Sequence, residues 1–120
     1  MPFQTPYILH VSLDVDPAKE ALFEEVYNTE HIPLIQKVPG VGAVTRFKTE
    51  ELVIRFGGER RAIVLENEAR YHAFYEIESP AVLISDAWAQ AADAGRWPLE
   101  VRPFTSNRRH ALRRVVFSMP

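Results

Sequence analysis

Twice along this chain the apolar residues change from the period of a strand to that of a helix and back, and this alternation constrains the fold more than any other feature. Residues 6–14 alternate between apolar and polar side chains from Tyr7 onward, which predicts a strand with one buried face. Similar stretches predict strands at residues 41–49, 70–78 and 110–117. A helical pattern separates the first strand from the second, and another separates the third from the last.

The first helix is predicted to begin at Asp16-Pro17, because aspartate is a good N-cap and proline suits the first helical position. Its apolar residues recur at helical spacing and form an inner stripe. Pro33 lacks the backbone N–H that an α-helix requires and disfavours helical geometry at the residue before it. We therefore expect the helix to kink or restart at Pro33 and to end at Pro39-Gly40.

The second helix is predicted to begin at Ser79-Pro80 and to end near Gly95, a good terminator. Its inner face is predicted to carry Leu83, Ile84, Ala87, Trp88 and Ala91. Residues 96–109 are rich in Arg, Pro and Asn and predict irregular structure, which is able to cover a pocket entrance through Trp97 and Arg102.

Residues 51–65 contain two short apolar segments on either side of Gly57-Gly58, which predicts a β-hairpin inserted after the second strand. The order of elements is then strand, helix, strand, hairpin, strand, helix, strand. This order predicts an α+β ferredoxin-like sandwich in which two helices cover one face of an antiparallel sheet. We expect residues 1–120 to form a single domain, since this length suits one hydrophobic core.

A sandwich of this kind leaves the second face of its sheet without helices. A bare apolar sheet face is a liability in water, and pairing with a second copy removes it. We therefore predict a homodimer packed through the sheet faces, while the sequence gives no role to the hairpin at 51–65.

Several classes of function are disfavoured by what the sequence lacks. The chain has no cysteine, which excludes a disulfide framework, thiolate catalysis and Cys-ligated zinc. It has no glycine-rich phosphate loop, dinucleotide fingerprint or nucleophile elbow. The N-terminus has neither a basic region nor a long apolar run, so we expect no signal peptide, no membrane span and a cytoplasmic protein.

The net charge of −2 is unevenly distributed, because residues 96–120 carry six arginines and one acid. A basic tail is one signal of nucleic-acid binding. These arginines, however, alternate with apolar residues as on a strand, and the rest of the chain is acidic enough to neutralise them. No nucleic-acid partner is predicted.

Residues 27–33 (YNTEHIP) and 38–40 (VPG), with the strand segment 45–47 (TRF), resemble the dimeric α/β-barrel superfamily, in particular EthD-type and related uncharacterised members. Residues 75–80 (YEIESP) are similar to the exit from the third strand in that superfamily. The hairpin at 51–65 departs from its shorter members. The resemblance implies a dimer that binds small molecules, and such relatives include polyketide cyclases, cofactor-free monooxygenases, lactone isomerases and haem-degrading enzymes.

His31 is the first candidate for chemistry. It follows Tyr27 by four residues, so both side chains share the inward face of the helix. Histidine exchanges protons near neutral pH, which suits enolisation, cyclisation or dehydration, and Tyr27 would orient it or donate to an oxyanion. In the competing interpretation His31 is a core residue bonded to a neighbouring carbonyl or side chain.

The remaining candidates are assigned to substrate binding. His10 and His72 are predicted on neighbouring strands among polar positions, and Arg46 suits an anionic group because its guanidinium bonds in bidentate fashion. Tyr75 and Trp88 are predicted to line a pocket. No histidine spacing matches a metal site, so neither a metal nor a cofactor is predicted.

Two functions remain open. The first is a cofactor-free enzyme that acts on a hydrophobic oxygenated compound, such as an aromatic, a polyketide or a lactone, by acid–base chemistry at His31. The second is a non-catalytic binding or structural homodimer in which His31 is a satisfied core residue. A cavity of ligand size beside the imidazole favours the enzyme, and solid packing around it favours the second function.

Overall fold

The computed structural model of the chain describes residues 3–120. Its strands within this range are β1 (Tyr7–Val15), β2 (Val41–Lys48), β3 (Leu52–Phe56), β4 (Glu59–Ile63), β5 (Tyr71–Ile77) and β6 (Thr105–Arg114). The order β2-β5-β1-β6 forms one antiparallel sheet. This is the ferredoxin-like α+β arrangement, and the predicted fold class is confirmed.

The helices within residues 3–120 are α1 (Glu20–Val26), α2 (Ile32–Gln36) and α3 (Asp86–Ala92). A 3₁₀ turn at Pro17–Lys19 leads into α1, and Asp16 Oδ1 accepts a hydrogen bond from the Ala18 amide at 3.0 Å. The predicted N-cap is therefore confirmed. None of the helices in this range is long and apolar enough to cross a bilayer.

The predicted break in the first helix takes the form of a π-helical turn. Tyr27–His31 form this turn between α1 and α2, and the Ile32 amide donates to the Tyr27 carbonyl, five residues back. Pro33, which has no amide to donate, follows directly as the second residue of α2. Single π turns within helices are frequent at functional sites, because they change the direction in which side chains project.

The second helix begins later than predicted. Pro80–Ile84 form a 3₁₀ turn, and α3 begins only at Asp86, after Ser85 adopts an extended conformation. The Ser85 hydroxyl accepts a hydrogen bond from the Trp88 amide at 3.1 Å, so this serine is the N-cap. The placement of Ile84 on the inner face was wrong, since its side chain is 87% exposed.

The segment predicted as irregular is largely ordered. Trp97–Val101 form a second π-helical turn, Arg102–Phe104 a 3₁₀ turn, and β6 begins at Thr105 rather than at residue 110. The early part of β6 is polar, so its sequence carries no strand signal. It is a strand because it pairs with β1 at the edge of the sheet, where solvent exposure requires no apolar side chains.

Register decides which strand side chains face the helices. Paired residues of antiparallel strands share a face, and Leu9 pairs with Tyr75 of β5 and Leu112 of β6. The core lies between this face and the helices, and its buried side chains include Phe23, Val26, Ile35, Tyr71, Ile77 and Val101.

The opposite face of the sheet carries His10, His72, Phe74 and Phe47. The Phe47 and Phe74 rings lie 4.8 Å apart, and Phe47 remains 46% exposed. All helices of residues 3–120 pack on the other face. Phe47 therefore marks an apolar surface that no helix within residues 3–120 covers.

The predicted hairpin is confirmed as β3 and β4, joined through Gly57-Gly58. Both glycines have positive φ, at 56° and 84°, which is the geometry of the tight hairpin turns that favour glycine. The hairpin forms its own two-stranded sheet beside the main one. Its large apolar residues are exposed: Leu52, Val53, Ile54 and Phe56.

Candidate functional site

A cavity of about 590 Å³ lies between the main sheet and the helices. This volume is within the range of pockets that hold small organic ligands, about 300 to 1,000 Å³. Its walls are mostly apolar or aromatic, with a few polar groups among them. The lining comprises Leu9, Val11, Leu13, Tyr27, His31, Ile35, Tyr75, Leu83, Trp88, Ala92, Trp97, Arg102, Arg108 and His110.

His31 reaches this cavity from the π turn and is only 7% exposed. Its ring stacks on the Trp97 indole, with centroids 4.7 Å apart and planes inclined by 26°. The Tyr27 ring lies 5.0 Å away on another side. The imidazole is thus held by two aromatic rings and has little rotational freedom.

The Nδ1 atom of His31 is buried and has no hydrogen-bond partner within residues 3–120. A buried polar atom without a partner destabilises a fold by about 1–3 kcal/mol, and such atoms are rare. The interpretation of His31 as a satisfied core residue requires bonded ring nitrogens, whereas this nitrogen has no partner within residues 3–120 and belongs to a residue that lines a cavity of ligand size.

Burial, aided by the positive charge of Arg102, lowers the pKa of His31 from 6.5 to about 4. The imidazole is therefore neutral at physiological pH, with one nitrogen carrying a proton and the other a lone pair. A neutral ring of this kind accepts or donates one hydrogen bond at Nδ1, depending on its tautomer.

Tyr27 and Tyr75 bring a pair of hydroxyls to the same cavity, and these hydrogen-bond to each other. Burial raises the pKa of Tyr27 to about 12, and it raises the pKa of Tyr75 well above its ordinary value. Both phenols are consequently neutral. One O–H is used in the bond between them, so the pair retains a second O–H that is available to a ligand.

A salt bridge holds the Trp97 turn against the π turn that carries His31. The Glu30 carboxylate accepts from the Arg96 backbone amide at 3.0 Å and forms an ion pair with its guanidinium. This contact, with the charge of Arg96, lowers the pKa of Glu30. Gly95 has φ +71°, and an added Cβ there would lie 2.9 Å from Glu30 Oε1. The close approach therefore needs glycine.

Arg46 is occupied elsewhere. Its guanidinium forms a 2.7 Å ion pair with Glu24 and donates to Asn28 Oδ1 at 2.8 Å. It also lies over the rings of Phe23 and Tyr27, 5.1 Å from each centroid. Arg46 thus ties β2 to α1 and does not line the large cavity.

His10 and His72 lie on the opposite face of the sheet from the cavity. They are neighbours as predicted, with His10 Nε2 and His72 Nδ1 2.8 Å apart. His72 Nε2 is close to the Ala69 carbonyl at 3.0 Å and to the Glu68 carboxylate at 3.4 Å. Within residues 3–120 no three His, Asp or Glu side chains are placed to hold a metal ion.

The tertiary structure therefore gathers four of the seven candidate residues, namely Tyr27, His31, Tyr75 and Trp88, and separates His10, His72 and Arg46 from them. It also adds Arg108 and His110, which sequence reasoning missed. Both lie on β6, where His110 pairs with Val11 on the helix-covered face. The polar start of β6 gave no strand signal, so the strand was predicted to begin only at residue 110.

Neither a protein-family profile nor a curated protein matches this sequence. Solved structures do match. The chain is similar to MhuD from Mycobacterium tuberculosis, a heme-degrader solved with two hemes in its active site. The match covers 96% of this chain and 100% of that one, with 17% identity and a TM-score of 0.55. A mutant of MhuD with two manganese protoporphyrin IX molecules per active site matches with 16% identity and a TM-score of 0.60, over 96% and 99% of the two chains.

The chain has the ferredoxin-like fold. At these identities the likeness concerns the fold alone, because one fold supports many unrelated activities. What the cavity binds has to be argued from its own residues.

Proposed function

We propose that this protein binds a hydrophobic oxygenated small molecule, of aromatic, polyketide or lactone type, in the cavity between helices and sheet. It acts on that molecule as an enzyme without a cofactor. His31 is the general acid/base, and the Tyr27–Tyr75 pair is the hydrogen-bond donor. The likeness of residues 27–33 to EthD-type proteins is in keeping with this assignment.

The proposal is carried by His31, which lines a cavity of about 590 Å³ and whose buried Nδ1 has no hydrogen-bond partner within residues 3–120. Folding gains nothing from leaving that atom unbonded, so a ligand that bonds to it relieves a penalty already present in the free protein. Trp97 and Tyr27 fix the direction of the ring, which reduces the ordering needed on binding.

A neutral imidazole with a lowered pKa is a weak base in the free protein. It takes a proton efficiently only when negative charge develops on the substrate next to it and stabilises the imidazolium. A tyrosine O–H placed at a carbonyl oxygen stabilises the enolate that forms as the carbon loses its proton to His31. Return of that proton to another position completes an isomerisation. In a cyclisation the enolate carbon attacks a second carbonyl, and the alkoxide that forms takes the proton back from His31.

We further propose that the sheet face with Phe47 and the hairpin β3–β4 join two copies of the chain in a homodimer. The protein is 19 Å thick along its shortest axis, and its radius of gyration is 16.2 Å. A compact chain of this length has a radius of gyration of about 14 Å. The protruding hairpin and its exposed apolar residues are explained if a second copy covers them.

A porphyrin is the second candidate ligand, because the two similar structures hold hemes and manganese protoporphyrin IX. The cavity fits such a group in its chemistry, since it has aromatic walls and is lined by a neutral histidine whose Nδ1 has no partner among residues 3–120. His31 would then ligate the metal, Trp88 and Trp97 would contact the ring, and the metal would supply redox chemistry. Titration with hemin, followed by the Soret band in the wild type and in His31→Ala, tests this alternative.

The alternative without catalysis is a binding or structural homodimer in which His31 only packs. Its stacking on Trp97 is the observation in favour, and the lack of a hydrogen-bond partner for Nδ1 in the described part of the chain is the observation against.

The test begins with thermal shifts across aromatic polyketides, lactones and phenols, and continues with turnover of the compounds that bind. His31→Gln is expected to abolish turnover while binding survives. The same substitution at His72, on the opposite face of the sheet, is the matched control and is expected to leave turnover unchanged. Full turnover by a folded His31→Gln protein would end the assignment.

A further inference from the structure

The ionisable side chains that line the cavity are either cationic or neutral. Among its lining residues are Arg102, Arg108, His31 and His110, and none is Asp or Glu. The protein as a whole carries a net charge of −2. A cationic cavity in an acidic protein is a local arrangement rather than a consequence of composition.

Arg108 contributes a free charge. Its side chain is exposed at the mouth of the cavity, and its guanidinium has no hydrogen-bond or ion-pair partner in the part of the chain that the structure describes. All five of its N–H donors are consequently available to an anion.

Arg102 lies deeper and is fixed. It donates to the Ala92 carbonyl at 2.9 Å and forms an ion pair with Asp93 Oδ1 at 2.8 Å. These contacts orient its guanidinium at the end of α3, and the ion pair offsets part of its charge. Both bonds use the same terminal nitrogen, so donors on the other nitrogens remain. Its positive charge reaches the ring of His31, where it contributes to the lowered pKa.

We propose that the ligand of this cavity carries a carboxylate or a similar anionic group, which Arg108 binds together with Arg102. This inference rests on the proposed function and narrows its substrate class to hydrophobic acids. The aromatic walls formed by Trp88 and Trp97 take the apolar body. A bidentate bond between guanidinium and carboxylate fixes the orientation of that body as well as its affinity.

One consequence concerns His31. A bound carboxylate offsets the charge of Arg102, so it removes one of the two influences that disfavour a proton on His31. Binding of an acidic substrate therefore makes the imidazole a better base, whereas a neutral analogue of the same shape leaves it unchanged.

The neighbouring residue Arg109 supplies a matched control. It pairs with Ser12, next to His10, on the face of the sheet away from the cavity. Its charge contributes to the lowered pKa of His10, whereas the charge of Arg108 acts on His110, a cavity residue. The variants Arg108→Gln and Arg109→Gln change the net charge equally, but only one of them alters the cavity.

The experiment measures binding of 2-naphthoate and of 2-naphthamide, which has nearly the same shape without the charge, by titration calorimetry. We expect the wild type and Arg109→Gln to prefer the acid by about tenfold or more, and Arg108→Gln to lose most of that preference through weaker binding of the acid alone. Added salt is expected to weaken the binding of 2-naphthoate but not that of 2-naphthamide.

Equal affinity of the two compounds for the wild type overturns the inference, yet leaves the proposed function intact if both still protect the protein against thermal unfolding. An equal loss of the preference for the acid in Arg108→Gln and Arg109→Gln also overturns the inference, because net charge alone would then explain the effect. Failure of both compounds to bind the wild type at millimolar concentration counts against the inference and the proposed cavity together.

Discussion

The imidazole of His31 stacks on the indole of Trp97 with ring centroids 4.7 Å apart, although the two residues belong to different halves of the chain. Each sits on a π-helical turn, at Tyr27–His31 and Trp97–Val101. The Glu30–Arg96 ion pair fastens one turn to the other. His31 and Trp97 both line the cavity, and the buried Nδ1 of His31 has no hydrogen-bond partner within residues 3–120.

Replacement of His31 by phenylalanine distinguishes a functional from a structural histidine. Phenylalanine keeps a flat ring against Trp97 but has no polar atom to leave unbonded, so we expect the free energy of unfolding to rise by about 1 kcal/mol or more. Urea denaturation measures the change. A destabilised His31→Phe protein would mean that the imidazole already has the bonds it needs.

The stability of the wild type is expected to depend on pH through His31. Its pKa is about 4 in the fold and 6.5 in the unfolded chain, so the unfolded state binds more protons between those values. The contribution of the neutral ring is therefore complete above pH 6.5 and is lost as the pH falls toward 4. Over this range the free energy of unfolding falls by roughly 3 kcal/mol through His31. Urea titrations from pH 4 to 7 should show a shallower dependence in His31→Phe, in which His10 and His110 still titrate.

The hydroxyls of Tyr27 and Tyr75 are expected to be energetically coupled. Tyr27→Phe or Tyr75→Phe leaves one buried phenol without its partner and should destabilise the protein by about 1–2 kcal/mol. The double variant leaves no hydroxyl without a partner. Its destabilisation should therefore be smaller than the summed destabilisations of the two single variants. A double-mutant cycle in urea measures the coupling, and additive effects would show that the two hydroxyls do not depend on each other.

Gly95→Ala is expected to loosen the contact between the two π turns. Alanine at φ +71° is strained, and its Cβ would also lie 2.9 Å from Glu30 Oε1 and 3.4 Å from Leu34 Cδ1. Gly58→Ala is the control, since Gly58 has φ +84° and no atom within 4 Å of an added Cβ. Gly95→Ala should lower the free energy of unfolding by about 1 kcal/mol more than Gly58→Ala does. It should also change the near-ultraviolet circular dichroism of tryptophan. Equal losses would assign the whole effect to backbone strain.

The homodimer is tested by light scattering after size-exclusion chromatography at micromolar concentration. We expect twice the 13.7 kDa mass of the chain for the wild type and a shift toward the monomer for Phe47→Glu, which places a charge on the uncovered sheet face. Ile84→Glu introduces the same charge at an exposed apolar residue on the helix side and should remain dimeric. A monomeric wild type would contradict the proposal.

Local signals sufficed for much of the fold. The N-cap at Asp16, the break at Pro33 and the turn at Gly57-Gly58 each depend on neighbours a few residues away, and all three appear where the sequence predicted them. The pairing of His10 with His72 followed from strand order and alternation. The start of α3 was misplaced because both Ser79 and Ser85 are residues suited to an N-cap, and only the Ser85 hydroxyl caps α3 in the structure.

The sequence by itself determined the order of the elements, the α+β class and the inward direction of Tyr27 and His31, because periodicity, proline and glycine act through the local backbone. Only the tertiary structure decided which candidates meet. It brought Trp97 onto His31, placed Arg108 and His110 at the cavity, and bound Arg46 to Glu24 instead. Such contacts join residues far apart in the chain, and they depend on sheet register and on the packing of one turn against another, which no local pattern encodes.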